Sequence, residues 1–199
     1  MDLNYRVQSI FPCPIHMFDV NGFGGLQKVL IDYAYNERRN DPIGVNVSNR
    51  GGWQSQNISV SNEADPLHKF LIDIVSSLPP LIENVDVIID TWININKIGD
   101  YNVKHCHPNS NLAGILWVKI PDKSSLLKFS NPLNYQTYGE IEAYNDEFKE
   151  LYNYHHAYNF TPNEGTILIF PSHLEHCVEE NKSDEDRISI SFNLQLINK

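Results

Sequence analysis

From Val85 onward the apolar residues of this chain recur at every second position instead of every third or fourth, and that change of period constrains the fold more than any other feature. Val87, Ile89, Thr91, Ile93 and Ile95 alternate with Ile88, Asp90, Trp92, Asn94 and Asn96. Successive side chains of an extended chain point to opposite faces, so the stretch reads as a strand with one apolar and one mixed face. Further short runs follow at 102–107, 112–120, 126–130, 155–160, 166–170, 176–180 and 187–196, each bounded by Gly, Pro, Asn or Ser. About eight strands at this spacing predict a mainly β fold, a sandwich or jelly roll, with N-terminal helices backing one sheet.

Before Val85 the period is helical. Leu26, Val29, Leu30 and Tyr33 follow the Gly24-Gly25 pair, and this run is expected to stop at 39–41, before Pro42. A second helix is expected with Asp65 as its cap, Pro66 in its first position and Leu67, Phe70, Leu71, Ile74 and Val75 on one face, ending at Pro79-Pro80. The chain thus reads as one domain over 1–199, its helices mainly within 22–80 and its β core at about 85–197. Residues 7–18 read as an edge strand broken by Pro12 and Pro14, and 44–61 as a loop or irregular hairpin. The stretch 131–154, with Tyr135, Tyr138, Tyr144, Tyr152 and Tyr154, has the length of a functional lid, and 145–151 within it reads as a short helix.

Composition narrows the function. A net charge of −10 weighs against a phosphate-binding surface, and no basic patch offers duplex nucleic acid a footing. The N-terminus lacks the basic start and apolar run of a signal peptide, and no segment is long enough to span a membrane, which predicts a soluble, cytoplasmic protein. Cys13, Cys106 and Cys177 lack C-x-x-C spacing and read as reduced thiols.

The chemistry gathers on a few side chains. In a strand His105 and His107 share a face while Cys106 points away, a geometry that lets two imidazoles meet one metal ion. A later strand beginning at His176 could bring a third, with His173 as the competing residue. Three neutral imidazoles suit iron, zinc, copper or nickel and leave positions open. Arg187 opens a strand whose polar set, Arg187, Ser189, Ser191 and Asn193, lies on one face. An inward arginine needs an anionic partner, which a dicarboxylate would supply with Ser189 adding a hydrogen bond; an ion pair with Asp184, Glu185 or Asp186 is the alternative. Asn94 and Asn96 can reach either a cosubstrate or a ligand histidine from the preceding strand, or can face solvent. Tyr101 and Trp117 read as pocket or core aromatics.

These residues resemble the 2-oxoglutarate- and iron(II)-dependent oxygenase superfamily, and within it a family of small members. The resemblance rests on Phe11-Pro12, on His105-x-His107-Pro108 followed by Ser110, Leu112 and Gly114, and on Pro162-x-Glu164-Gly165. It continues through Phe170-Pro171-Ser172-x-Leu174-x-His176-x-Val178 to Arg187-Ile188-Ser189-Ile190-Ser191-Phe192-Asn193. It implies a double-stranded β-helix of cupin-like form, with Fe(II) on His105, His107 and His176, and Arg187 and Ser189 gripping the distal carboxylate of 2-oxoglutarate. It also implies O2-dependent hydroxylation of an unidentified small-molecule or peptide substrate, with release of succinate and CO2. His107 stands where the superfamily usually has Asp or Glu, which leaves the metal site one charge more positive. The rival readings are a three-histidine cupin-type metalloenzyme that does not use 2-oxoglutarate, and a non-catalytic jelly-roll binding module.

Overall fold

The computed structural model describes residues 13–59, 66–78, 85–124, 126–133 and 141–198. In chain order its elements are β1 (His16–Asp19), α1 (Gly24–Asn40), β2 (Asn49–Arg50), β3 (Trp53–Gln54), β4 (Ile58–Ser59), α2 (Pro66–Ser77), β5 (Val85–Asn96), β6 (Tyr101–His105), β7 (Leu112–Lys119) and β8 (Leu127–Ser130). A 3-10 turn (Ile141–Ala143), α3 (Asp146–Tyr152), β9 (Ala157–Phe160), β10 (Thr166–Pro171), β11 (His176–Val178) and β12 (Arg187–Asn198) complete them. Two antiparallel sheets form. The larger runs β1-β10-β7-β12-β5-β3, with β4 also on β5; the smaller runs β2-β6-β11-β8-β9.

The alternating patterns that define β5 and β12 pair with each other along their whole length, from Arg187 opposite Asn96 to Asn198 opposite Val85. Their apolar faces, with Ile93, Ile95, Ile188, Ile190, Phe192 and Leu194, pack under α1 and α2 in one core that also takes Leu30, Ala34, Leu67 and Leu71. The helices therefore back the larger sheet, as expected from the sequence. A second core fills the space between the sheets, with Trp117, Phe170 and Leu168 from one and Leu127 and Phe129 from the other. Ser189, Ser191 and Asn193 also face this inter-sheet space, at the end where it opens into a cavity.

Several expectations are refined. β6 stops at His105, two residues earlier than predicted, and β11 stops at Val178. The 44–61 segment holds three two-residue strands that seal the edges of both sheets. The edge strand near the N-terminus is β1 on β10, while positions 7–12 lie outside the described residues, as do Asp65, Pro79-Pro80, Tyr135 and Tyr138. α3 forms where a short helix was expected, capped by the Asn145 side chain accepting from the Phe148 amide. Trp117 is a core residue at 1 % exposure, but Tyr101 is exposed at 41 % and lines neither core nor pocket, because it lies on the outer face of β6. No helix of the described residues is long and apolar enough to cross a membrane.

Gly114 is where β7 admits the Phe192 ring of β12. A Cβ there would land on the ring itself, although the backbone conformation is ordinary. Gly114→Ala should therefore lower stability by about 1–3 kcal/mol, the usual cost of overpacking a dense core. Urea denaturation checks this; an unchanged midpoint would mean that Phe192 yields its place at no cost.

Candidate metal and cosubstrate site

His105 and His176 meet because β6 and β11 pair antiparallel with these two residues directly opposite each other. Cross-strand partners on one face lie within side-chain contact, and the two ring centroids are 4.4 Å apart. His107 arrives differently. It lies beyond the end of β6, where its backbone N–H donates to the Ser172 carbonyl at 2.8 Å, and that turn-to-turn bond swings its ring over His176, nearly parallel at 8°. One ligand nitrogen from each of the three histidines falls within a mutual 4.8 Å. His173 is exposed and takes no part.

Backbone carbonyls orient two of the rings. The Nδ1–H of His105 donates to the Val103 carbonyl at 2.7 Å, and that of His176 to the Leu174 carbonyl at 2.9 Å. Each bond fixes the tautomer that leaves Nε2 as a free lone pair directed into the cluster. The His107 and His176 Nε2 atoms are 3.3 Å apart. Trp92, on the mixed face of β5, also stacks on His107, with centroids 5.7 Å apart.

All three imidazoles are held neutral. Burial lowers the pKa of His105, and the Val103 carbonyl opposes the drop. Burial and then the proximity of His105 bring His107 to about 4 and His176 to about 3. A folded-state value below the unfolded one means that the unfolded chain takes up protons first, so stability is complete above about pH 6.5 and declines as pH falls toward 4. His107 and His176 carry most of this dependence, each contributing on the order of 1.4 kcal/mol per pH unit between the unfolded and folded values. Unfolding of the metal-free protein measured from about pH 7 to about pH 4 should show this decline, and His176→Ala should flatten it.

The cluster opens into a cavity of about 270 Å³ between the two sheets, walled also by Trp92, Asn94, Ser189, Ser191 and Asn193 and by Ser48, Gln54 and Asn57 of the 44–61 segment. No Asp, Glu, Lys or Arg is among its lining residues. Asn94 is buried; its amide donates to Ser191 Oγ at 3.1 Å and its Oδ1 has no partner. Arg187 and Asn96 are not in the lining. They face each other one step past Ser189 and Asn94 at the end of the β5–β12 pair. The Gly52 backbone packs on the Asn96 amide there, and the Arg187 Nη1 donates to the Glu179 carbonyl at 3.2 Å. Glu185 and Asp186 pair elsewhere, with Lys119 at 2.7 Å and with Arg38 at 3.8 Å. Arg187 is 2 % exposed; burial brings its pKa down to about 10, opposed by Asp100, so the guanidinium is still charged at neutral pH.

Sequence reasoning assigned no site role to Trp92 or to the 44–61 segment. Trp92 shares a strand face with Asn94, a signal that was present; the segment carries no period, so nothing local directs it to the cavity mouth.

The chemistry of this donor set fits a divalent transition metal: three neutral nitrogens, buried, converging and without a competing charge. The family model described as "Putative 2OG-Fe(II) oxygenase" matches residues 90–193, just over half of the chain. No curated protein matches the sequence at a significant level. Among solved structures, a prolyl-4-hydroxylase from Pseudomonas putida is similar, with a TM-score of 0.64 at 12% identity over 91% of this chain and 91% of that one. A prolyl hydroxylase from Trichoplax adhaerens, solved with a hypoxia inducible factor peptide fragment, has a TM-score of 0.60 at 12% identity over 91% and 83% of the two chains. HygX from Streptomyces hygroscopicus, solved with nickel, 2-oxoglutarate and hygromycin B, has a TM-score of 0.60 at 10% identity over 91% and 82%. At these identities the structural likeness speaks for the double-stranded β-helix fold, and the family match for the class. The chain belongs to the 2-oxoglutarate- and iron(II)-dependent oxygenases.

Proposed function

We propose that His105, His107 and His176 hold Fe(II) and that Arg187 and Ser189 take the distal carboxylate of 2-oxoglutarate in a hydroxylase acting on a small molecule or a peptide side chain. The observation that carries this reading is the convergence of three neutral imidazole nitrogens within 4.8 Å at the wall of a cavity lined by Ser189, with the buried Arg187 two residues farther along the same strand. Bound iron(II) and 2-oxoglutarate supply, with O2, the oxidation of a substrate C–H to C–OH, and the cosubstrate leaves as succinate and CO2.

Charge supports the cosubstrate. A divalent ion on three neutral ligands, in a cavity lined by no carboxylate, keeps its full double charge, and a buried net charge is costly. The dianion of 2-oxoglutarate offsets two of the three positive charges that the metal and Arg187 bring together, so metal and cosubstrate bind cooperatively here. Asn94 completes the floor: an amide turned to present its NH2 group donates to the cosubstrate while its oxygen accepts from Ser191. Asn96, beneath Gly52, supports Arg187 across the strand pair. The setting is the cytoplasm, where Cys106 remains an exposed free thiol and iron stays reduced.

The test is anaerobic addition of 2-oxoglutarate to the Fe(II)-loaded protein, followed by admission of O2 and measurement of succinate. A visible metal-to-ligand charge-transfer band and succinate formation are expected. A protein that binds stoichiometric iron but never shows the band is a three-histidine metalloenzyme of another kind; one that binds no metal is a binding module.

A further inference from the structure

Two of the three histidines carry a device that the third lacks. His105 and His176 sit within strands, and each rests its Nδ1–H on the carbonyl two residues back, at 2.7 and 2.9 Å. His107 lies past the end of β6, and its ring is hydrogen-bonded to His176 rather than to a backbone carbonyl. Without a metal its proton can sit on Nε2 and point at the His176 Nε2 3.3 Å away. A metal ion takes that nitrogen's lone pair, so the proton must move to Nδ1, and a buried N–H there requires an acceptor.

The acceptor at hand is on β12. Asn193 lines the same cavity wall as His107, on the polar face that also carries Ser189 and Ser191. Its Oδ1 is shielded from solvent and has no hydrogen-bond partner, and Asn193 stands two residues from Ser191, the cross-strand partner of the Trp92 that stacks on His107. Trp92 stacks on a face of the ring at 22°. The ring thus has an indole on its face and, in the lining of the same cavity, a buried amide whose acceptor has no hydrogen-bond partner.

Resting on the metal reading above, we propose that Asn193 is the positioning residue for His107: its amide oxygen accepts the Nδ1–H of the metal-binding tautomer, the role the Val103 and Leu174 carbonyls fill for the other two, while Trp92 holds the ring plane. It makes up for the missing strand at the one ligand position where this chain departs from the usual carboxylate.

Co(II) titration followed by absorption tests it in the whole protein. Outer partners of metal-bound histidines are commonly worth 10–100-fold in affinity, so Asn193→Leu should weaken Co(II) binding by about that factor. Asn193→Ala serves the same end if the leucine variant fails to fold. Asn193→Asp, a stronger acceptor at the same place, should restore or exceed wild-type affinity with an unchanged ligand-field spectrum. Wild-type affinity in the leucine or alanine variant overturns the proposal. So does an aspartate variant as weak as they are, or one whose spectrum shifts as for direct carboxylate ligation. Retention of Co(II) by His105→Ala would instead overturn the metal reading itself, which keeps the two failures apart.

Discussion

His176→Ala is expected to abolish stoichiometric metal binding, a loss of more than about 100-fold in affinity, beyond what an outer partner usually contributes. His176 is the most deeply placed of the three, touching both other rings, and no further His, Cys, Asp or Glu of the described residues joins the cluster to replace it. His105→Ala should behave alike. The substitution also removes a buried ring held by the Leu174 carbonyl and by its contact with His107 Nε2, so the metal-free fold loses these two bonds and the packing of the vacated space, and its melting transition should remain cooperative. His173→Ala is the matched control, since an exposed histidine three residues away should leave metal content at the wild-type level. Metal analysis after gel filtration of the three variants decides the matter; full occupancy in His176→Ala would mean that the ion sits elsewhere.

Arg187→Met should leave metal binding intact and remove the charge-transfer response to 2-oxoglutarate at concentrations that saturate the wild type. A charge-assisted hydrogen-bonded pair contributes about 1.5–3 kcal/mol, so cosubstrate affinity should fall by roughly 10–100-fold by the usual conversion of free energy to affinity. Methionine fills much of the buried volume without a charge, which limits the structural damage at a residue only 2 % exposed. Arg187→Lys should recover part of the response, because an ammonium keeps the charge but loses the planar fork. Unchanged 2-oxoglutarate titrations in Arg187→Met would show that the carboxylate is gripped elsewhere, Ser189 and Ser191 being the groups next in line along the strand.

Whether a feature could be read from the sequence depended on whether its cause is local. The β5 and β12 alternations are local, and with them came the sheet, its core face, and the common face of Ser189, Ser191 and Asn193. The same alternation suggested that His105 and His107 converge as strand neighbours, and that reason is incomplete. His107 is off the strand and is drawn in by the Ser172 carbonyl, a bond between segments 65 positions apart in the chain. Neither the end of β6 nor the partner that replaces it is marked in the residues around His107.

By itself, the amino-acid sequence determined the change from helical to two-residue period, the two amphipathic helices, and the identity of the imidazoles and the guanidinium, because side-chain type and spacing along one segment are enough for these. Only the tertiary structure decided which histidine is the third of the cluster, that His173 is outside it, that Arg187 and Asn96 lie past the cavity while Trp92 stacks on His107, and that the imidazoles stay neutral. Those outcomes rest on burial and on contacts between strands far apart in the chain, which exist only once the two sheets have closed on each other.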